Sequence, residues 1–229
     1  MMQMWCCFYT TWRKRAELNP QGAINARLFS RQLPSPIGLR FHKYKMQNHT
    51  PVTLDNWAQI QQSVLLKIPN DWCLQNSFAI NPDIDQLVNL PEIQDALSKL
   101  NLSNRVVKVV LNVMLPNYKT NIHLDTPYGF IYSLNIPIVG CENSCIEFFT
   151  SNGSHKTGEI FDSISSRKHI YWPFDATNCT FTEEKDTSKS YILNATNPHR
   201  VVNKSDSVRI MLLLRLNLTN EEFKSFNWW

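Results

Sequence analysis

The segment VRIMLLLRL, residues 208–216, is apolar at every position except its two arginines. Successive side chains of a β-strand point to opposite faces of the sheet. A strand that is apolar on both alternations is therefore covered on both faces. The segment predicts a central strand in a protein whose core has a layer of structure on each side of one sheet.

Other strand-like segments precede this one from residue 105 onward. Runs of β-branched and aliphatic residues, separated by short turns, predict strands over residues 106–113, 122–125, 130–139, 145–150, 169–172, 190–193 and 199–202. Helical spacing predicts two earlier helices, at about 54–66 with Thr53 or Asp55 as N-cap, and at about 91–100 with Pro91 in the first turn. This order predicts a mainly β protein, a sandwich or barrel with flanking helices and a β-core over about 105–216.

The basic charge of the chain is concentrated at its N-terminus. Residues 1–45 contain eight of the 23 Lys and Arg residues and one of the 19 acidic residues, so residues 46–229 have 15 basic and 18 acidic residues. We expect residues 1–45 to be an irregular or partly ordered basic extension and residues 46–229 to be a single domain. The extension could contact phosphates, but a solvated chain end is the simpler interpretation. The slightly acidic body gives no reason to expect nucleic acid as a partner.

Composition also bears on location and on the thiols. The chain has no run of eighteen apolar residues and no secretory signal pattern, so we expect a cytoplasmic protein without a membrane partner. The six cysteines are then expected to be free thiols. Cys141 and Cys145 lack the spacing and the second ligand pair of a structural zinc site.

A candidate metal site begins at His123-x-Asp125. Residues two apart on a strand point to the same face, and His199, which follows Pro198, is the natural third ligand from a distant segment. Two imidazoles and one carboxylate can hold a non-haem Fe(II) and leave coordination positions open. His-x-Asp alone is often a surface pair. The nearest competitor, His155-x-x-x-Glu159, lies in a glycine-flanked turn and ranks lower.

Arg209 follows His199 by ten residues and lies in the apolar strand quoted first. An unpaired buried charge is expensive, so an arginine here favours an anionic ligand over an ordinary ion pair at a strand end. Guanidinium binds carboxylate in a planar two-point fit. Arg215 shares the alternation of Arg209 and is the second candidate for this role.

Together these segments resemble a known family. The pattern LPNYKTNIHLD at 115–125, LNIP at 134–137, NATNPHRVVN at 194–203 and then Arg209 is similar to the Fe(II)/2-oxoglutarate-dependent oxygenase superfamily. The resemblance covers about residues 105–216. It implies a double-stranded β-helix, which is a jelly-roll or cupin-like core. It also implies Fe(II) held by His123, Asp125 and His199, and Arg209 bound to the far carboxylate of 2-oxoglutarate as cosubstrate.

The resemblance further implies a reaction in which O2 and 2-oxoglutarate give succinate and CO2 while a prime substrate is hydroxylated. Ser133 and Asn135 share one strand face and are candidates for cosubstrate binding. Tyr132, Tyr118 and Tyr128 are candidate hydroxyl donors to the cosubstrate carboxylate. Many members have Ser or Thr two residues after the arginine, where this chain has Met211, which puts the details of cosubstrate binding in doubt.

Two other interpretations stay open at this point. One is a β-helix binding protein that does not oxidise, in which Arg209 holds another carboxylate ligand. The other is a different metal-dependent enzyme on a similar barrel, such as an isomerase. For the oxygenase, the sequence leaves open whether the prime substrate is a small molecule or a protein residue, and it leaves the oligomeric state open.

Overall fold

The computed structural model of the chain describes residues 48–68, 77–79, 82–125, 132–156, 159–161 and 169–225. These residues all belong to one compact unit. The predicted N-terminal extension at 1–45 and the candidate Tyr128 lie outside the described residues.

The described residues form twelve strands in two six-stranded antiparallel sheets. The first sheet contains β1 (His49–Pro51), β2 (Ser77–Ala79), β3 (Val106–Met114), β5 (Tyr132–Val139), β10 (Tyr191–Asn194) and β12 (Arg209–Leu216), in the order β1-β10-β5-β12-β3-β2. The second sheet contains β4 (His123–Leu124), β6 (Ser144–Ser151), β7 (Glu159–Phe161), β8 (His169–Pro173), β9 (Cys179–Asp186) and β11 (His199–Asn203), in the order β7-β8-β4-β11-β6-β9.

The segment over residues 208–216 forms the central strand that its sequence predicts. β12 pairs with β3 on one side and with β5 on the other, and all eight of its residues are buried. Its even-numbered residues, from Ile210 to Leu216, belong to the core beneath the helices. Met211 and Leu213 instead join a second core that includes Ile146 and Phe148 of the other sheet. The strand is therefore covered on both faces.

Four helices accompany the sheets in the described part of the chain: α1 (Trp57–Leu65), α2 (Pro82–Asp85), α3 (Pro91–Lys99) and α4 (Asn220–Ser225). Short 3-10 helices lie at Gln86–Asn89 and Ala176–Asn178. The buried sides of α1 and α3 belong to the same core as the even face of β12. Trp57 Nε1 of α1 donates to the carbonyl of Pro137 at 2.9 Å, which attaches this helix to β5.

The predicted N-cap of the first helix is wrong. The capping position is Asn56, and no side chain caps the helix. Asn56 Nδ2 instead donates to the Glu92 carbonyl at 2.7 Å and to Asp95 Oδ2 at 3.1 Å. The polar residue at this helix start therefore links α1 to α3.

The architecture confirms a mainly β fold of the jelly-roll type with flanking helices. Four strands were not predicted: β1, β2, β7 and β9. β9 has mostly exposed side chains, and β6 is its neighbour in the sheet. A polar strand at the edge of a sheet lacks the apolar alternation by which strands are found in sequences. Among the described residues, no helix has the length and apolar character needed to cross a membrane.

Candidate metal centre

The structure brings His123, Asp125 and His199 together between the sheets. His123 and His199 are direct partners across the β4–β11 pair, with ring centroids 4.7 Å apart. Asp125 Oδ1 lies 3.4 Å from His123 Nε2 and 3.9 Å from His199 Nε2. Donor atoms about 2 Å from a common metal are about 3 Å apart, and both distances from Asp125 Oδ1 exceed that spacing by less than about 1 Å.

Backbone carbonyls fix the orientation of both imidazoles. His123 Nδ1 lies 2.7 Å from the carbonyl of Asn121, and His199 Nδ1 lies 2.9 Å from the carbonyl of Asn197. A carbonyl accepts only, so in each neutral ring Nδ1 is the donor and Nε2 retains its lone pair. Histidine ligands of metals usually have this arrangement. Both Nε2 atoms face Asp125.

The ionisation of the cluster also suits a cation. Burial, with a smaller contribution from His123, lowers the pKa of His199 to about 4, so that imidazole is neutral near pH 7. Burial alone would raise the pKa of the Asp125 carboxyl. The charge of Arg215 outweighs burial and holds that pKa well below its usual range. The cluster thus offers two imidazoles, of which that of His199 is neutral near pH 7, and one carboxylate, which is the donor set of a non-haem Fe(II) site.

Arg215 already has an anionic partner within the protein. Its Nη1 donates to Asp125 Oδ2 at 2.6 Å, and the side chains of both residues are 8% exposed. The second candidate for anion binding is therefore already paired with the candidate metal ligand.

Arg209 lies in the same cavity with different partners. Its Nε donates to Ser144 Oγ at 3.1 Å, and its Nη1 donates to Asn112 Oδ1 at 2.8 Å and approaches Met114 Sδ at 3.6 Å. Ser144 Oγ in turn bonds to Thr187 Oγ1 at 2.6 Å. Arg209 is 1% exposed, and no carboxylate within the described ranges forms an ion pair with it. It is a buried cation whose described partners are all neutral.

Polar groups of the first sheet complete the cavity wall. Asn135 lines the cavity and is buried, whereas Ser133 is fully buried and its Oγ donates to Asn135 Oδ1 at 2.5 Å. Ser133 therefore supports Asn135 and does not itself line the cavity. Tyr191 also lines the cavity, and its hydroxyl shares a hydrogen bond with Asn135. Burial raises the pKa of Tyr191, so this hydroxyl stays protonated.

The prediction that Tyr132 binds cosubstrate is wrong about the face of the strand. Tyr132 stacks on Phe223 of α4, with ring centroids 4.4 Å apart, and belongs to the core beneath the helices. It alternates with Ser133 and therefore points away from the cavity. Tyr118 is half-buried outside the cavity lining. Tyr191 occupies the position that these residues were expected to fill.

The cavity is narrow. Its free volume is about 30 Å³, and its lining includes His123, Asp125, His199, Arg209 and Arg215. A cavity of this size holds about two water molecules, since each needs roughly 10–15 Å³. A cosubstrate must therefore displace lining side chains when it enters.

A second group of possible ligands is made of Cys145, Glu147 and Glu184. Its carboxylates are already paired, Glu147 with Arg200 at 2.5 Å and Glu184 with Lys204 at 2.8 Å. Burial raises the pKa of the Cys145 thiol to about 11, which disfavours the thiolate that metals require. This group does not have the character of a metal centre. Cys141, Cys145 and Cys179 are free thiols.

Sequence analysis missed the neutral partners of Arg209. Asn112 had a usable signal, because it is the one polar residue in the apolar run at residues 109–114. Ser144, Thr187 and Tyr191 had none, since each lies in a distant segment that the fold brings near Arg209 or the cavity. The competing residue His155 is half-buried outside the cavity lining, and its ring lies against Phe174.

No protein-family model matches the sequence, and no curated protein matches it. Solved structures that it resembles include a non-heme monooxygenase, the ThoJ–Ni complex, at 14% identity over 75% of this chain and 73% of the other, with a TM-score of 0.39. SnoN, a non-heme alpha ketoglutarate dependent epimerase from nogalamycin biosynthesis, is 13% identical over 72% and 74%, with a TM-score of 0.38. An oxidoreductase of the 2OG-Fe(II) oxygenase family from Burkholderia pseudomallei is 12% identical over 60% of each chain, with a TM-score of 0.33. These likenesses are too distant to assign an activity, which has to be argued from the site itself.

Proposed function

We propose that this protein is an Fe(II)- and 2-oxoglutarate-dependent oxygenase that hydroxylates a small molecule or a protein residue. One observation supports the proposal most strongly. A buried cluster of two oriented imidazoles and a carboxylate shares a cavity with a buried arginine whose described partners are all neutral. A metal ion would bind the imidazoles and the carboxylate, and a dianionic cosubstrate would balance the charge of the arginine.

The donor set fits the proposed metal. His123, Asp125 and His199 would hold Fe(II) on one face, because three protein ligands leave the remaining positions to cosubstrate and O2. Bound Fe(II) would supply the activation of O2 that the protein side chains cannot provide. The chain's own contribution is to orient both imidazoles through their Nδ1 hydrogen bonds and to bury the site from water.

Arg209 would bind the far carboxylate of 2-oxoglutarate. An arginine without a buried counter-anion is costly, and a carboxylate would remove that cost through charge-assisted hydrogen bonds. Met211 cannot offer the hydroxyl that many members of the resembled family place there. Tyr191 lines the same cavity and is the hydroxyl donor that we assign in its place.

The decisive experiment measures binding and turnover separately. Fe(II) and 2-oxoglutarate should each raise the melting temperature, because a ligand that binds only the folded state stabilises it. Purified protein with both should release succinate. His199→Ala should abolish Fe(II) binding while the protein stays folded, and His155→Ala, a change to a histidine outside the cavity lining, should leave Fe(II) binding unaltered. If neither Fe(II) nor 2-oxoglutarate shifts the melting temperature, the proposal is wrong.

A second candidate is a binding protein for a carboxylate ligand that performs no oxidation. The Arg215–Asp125 ion pair favours it, since one carboxylate oxygen of the candidate metal ligand is already occupied. This candidate predicts that 2-oxoglutarate or another dicarboxylate binds in an Arg209-dependent manner. It also predicts that added Fe(II) produces no succinate.

A further inference from the structure

The two oxygens of the Asp125 carboxylate have different neighbours. Oδ2 accepts a hydrogen bond from Arg215 Nη1 at 2.6 Å. Oδ1 faces His123 Nε2 and His199 Nε2 at 3.4 and 3.9 Å. Only Oδ1 is therefore directed at the point where the three candidate ligands meet.

Arg215 supplies a rigidity that the local backbone of Asp125 lacks. β4 is two residues long and ends at Leu124, so strand pairing does not fix Asp125. Arg215 lies on β12, which is paired with β3 and β5 along its length and is buried throughout. The ion pair connects the central strand of the first sheet to the end of a short strand in the second.

From this geometry we infer that Arg215 is a positioning residue for the metal centre and holds Asp125 as a one-oxygen ligand. The inference rests on the proposed function. A carboxylate that can rotate may bind a metal through both oxygens, which would take a coordination position that cosubstrate or O2 needs. The guanidinium occupies Oδ2 and prevents this, and it leaves the two histidines and one oxygen as the ligand set.

A structural ion pair and a positioning residue predict different metal binding by an Arg215 variant that still folds. If the pair only stabilised the fold, a variant that still folded would bind metal as the unchanged chain does. If Arg215 orients the ligand, such a variant would bind metal more weakly and with altered coordination. Loss of a group that orients a metal ligand typically lowers affinity by about tenfold to 100-fold.

The test uses Co(II) as a spectroscopic probe, with the full chain and no cosubstrate. Arg215→Met should weaken Co(II) binding by about tenfold to 100-fold and change the visible absorption of bound Co(II), which depends on coordination number. Arg209→Met is the matched control, because it removes the same residue type from the same face of the same strand. It should keep the Co(II) spectrum and change the affinity by less than about threefold, since Arg209 touches none of the three ligands.

Arg215→Lys provides a second measurement in case Arg215→Met does not fold. Lysine keeps the charge but lacks the planar fork. The Co(II) affinity of Arg215→Lys should therefore lie between the affinities of the unchanged chain and Arg215→Met. If Arg215→Lys is the only variant that folds, its Co(II) affinity should lie below that of the unchanged chain. Unaltered affinity and spectrum in the folded Arg215 variants would overturn the inference alone. Failure of the unchanged chain to bind Co(II) would overturn the proposed metal centre and this inference together.

Discussion

β12 has two buried arginines on one face, and their surroundings are opposite. Arg209, near the start of the strand, is held by a serine hydroxyl, an amide oxygen and a thioether. Arg215, six residues later, is held by the Asp125 carboxylate. The residue type, the strand and the degree of burial are alike, so the difference lies in the charge of the partners.

The charge of the partners gives the two arginine side chains different properties. A guanidinium that is paired with a carboxylate has its charge balanced inside the protein. A guanidinium with neutral partners has its hydrogen bonds but not its charge satisfied, and a ligand can supply the missing anion. The comparison therefore distinguishes an arginine whose charge is balanced within the protein from an arginine that we propose to bind a cosubstrate carboxylate.

The largest effect is expected when the counter-charge of Arg215 is removed. Asp125→Ala should lower the free energy of unfolding by about 3–5 kcal/mol, because it leaves a buried guanidinium without an anion. Urea unfolding in the presence of a chelator measures this without any contribution from metal. Asn112→Ala removes a neutral acceptor of Arg209 and should cost only about 2 kcal/mol.

The double variant Asp125→Ala/Arg215→Met serves as the control for that prediction. It removes both charges and should recover most of the lost stability, since an apolar replacement of a buried pair is often neutral. Equal losses for Asp125→Ala and Asn112→Ala would mean that the two arginines are not in different electrostatic settings.

The two arginines also mark the limit of what the sequence could predict. Their alternation on one apolar strand was readable, as were the central position of β12 and the pairing of His123 with Asp125 on one strand face, because each depends on local spacing. His199 came from a distant segment, where it follows Pro198. The side chains that pair with the two arginines were not readable. Asp125 lies 90 positions before Arg215 in the chain, and Asn112 lies 97 positions before Arg209. Such side-chain pairings depend on which strands become neighbours in the fold. Local sequence patterns do not show the order of the strands.

The same limit explains the error at Tyr132 and the omission of Tyr191. Tyr132 is near the metal motif in sequence, but a one-residue shift along a strand reverses the face. Tyr191 lies far from the motif in sequence, yet β10 pairs with β5 and brings it beside Asn135. Nearness along the chain was a poor guide to nearness in the cavity.

A second, somewhat smaller effect is expected at the other arginine. Arg209→Met should raise the Kd for 2-oxoglutarate by about 100-fold, since the loss of a buried charge partner costs a few kcal/mol. The unfolding free energy of the ligand-free protein should fall little or rise, because the variant removes a charge that has no described counter-anion. Isothermal titration with 2-oxoglutarate and urea unfolding measure the two quantities. A large loss of stability with unchanged 2-oxoglutarate affinity would assign Arg209 a structural role.

The smallest effect concerns the only titratable ring that packs directly on the Tyr191 ring among the described residues. His49 stacks on Tyr191 with ring centroids 4.3 Å apart, and burial lowers the pKa of His49 to about 4. The unfolded chain, with a His49 pKa near 6.5, binds more protons between pH 6.5 and pH 4 than the folded chain does. The contribution of neutral His49 to stability is therefore complete above pH 6.5 and is lost as the pH falls towards 4.

His49→Phe keeps an aromatic ring on Tyr191 and removes this titration. Its unfolding free energy should fall less steeply between pH 6.5 and pH 4 than that of the unchanged chain, by about 1 kcal/mol over the range, because solvent screens a partly exposed ring. Urea unfolding at several pH values, with chelator present, measures the difference. His199 titrates in both proteins, so its contribution to the pH dependence of the unfolding free energy largely cancels in the comparison. Parallel pH profiles would show that folding does not lower the pKa of His49.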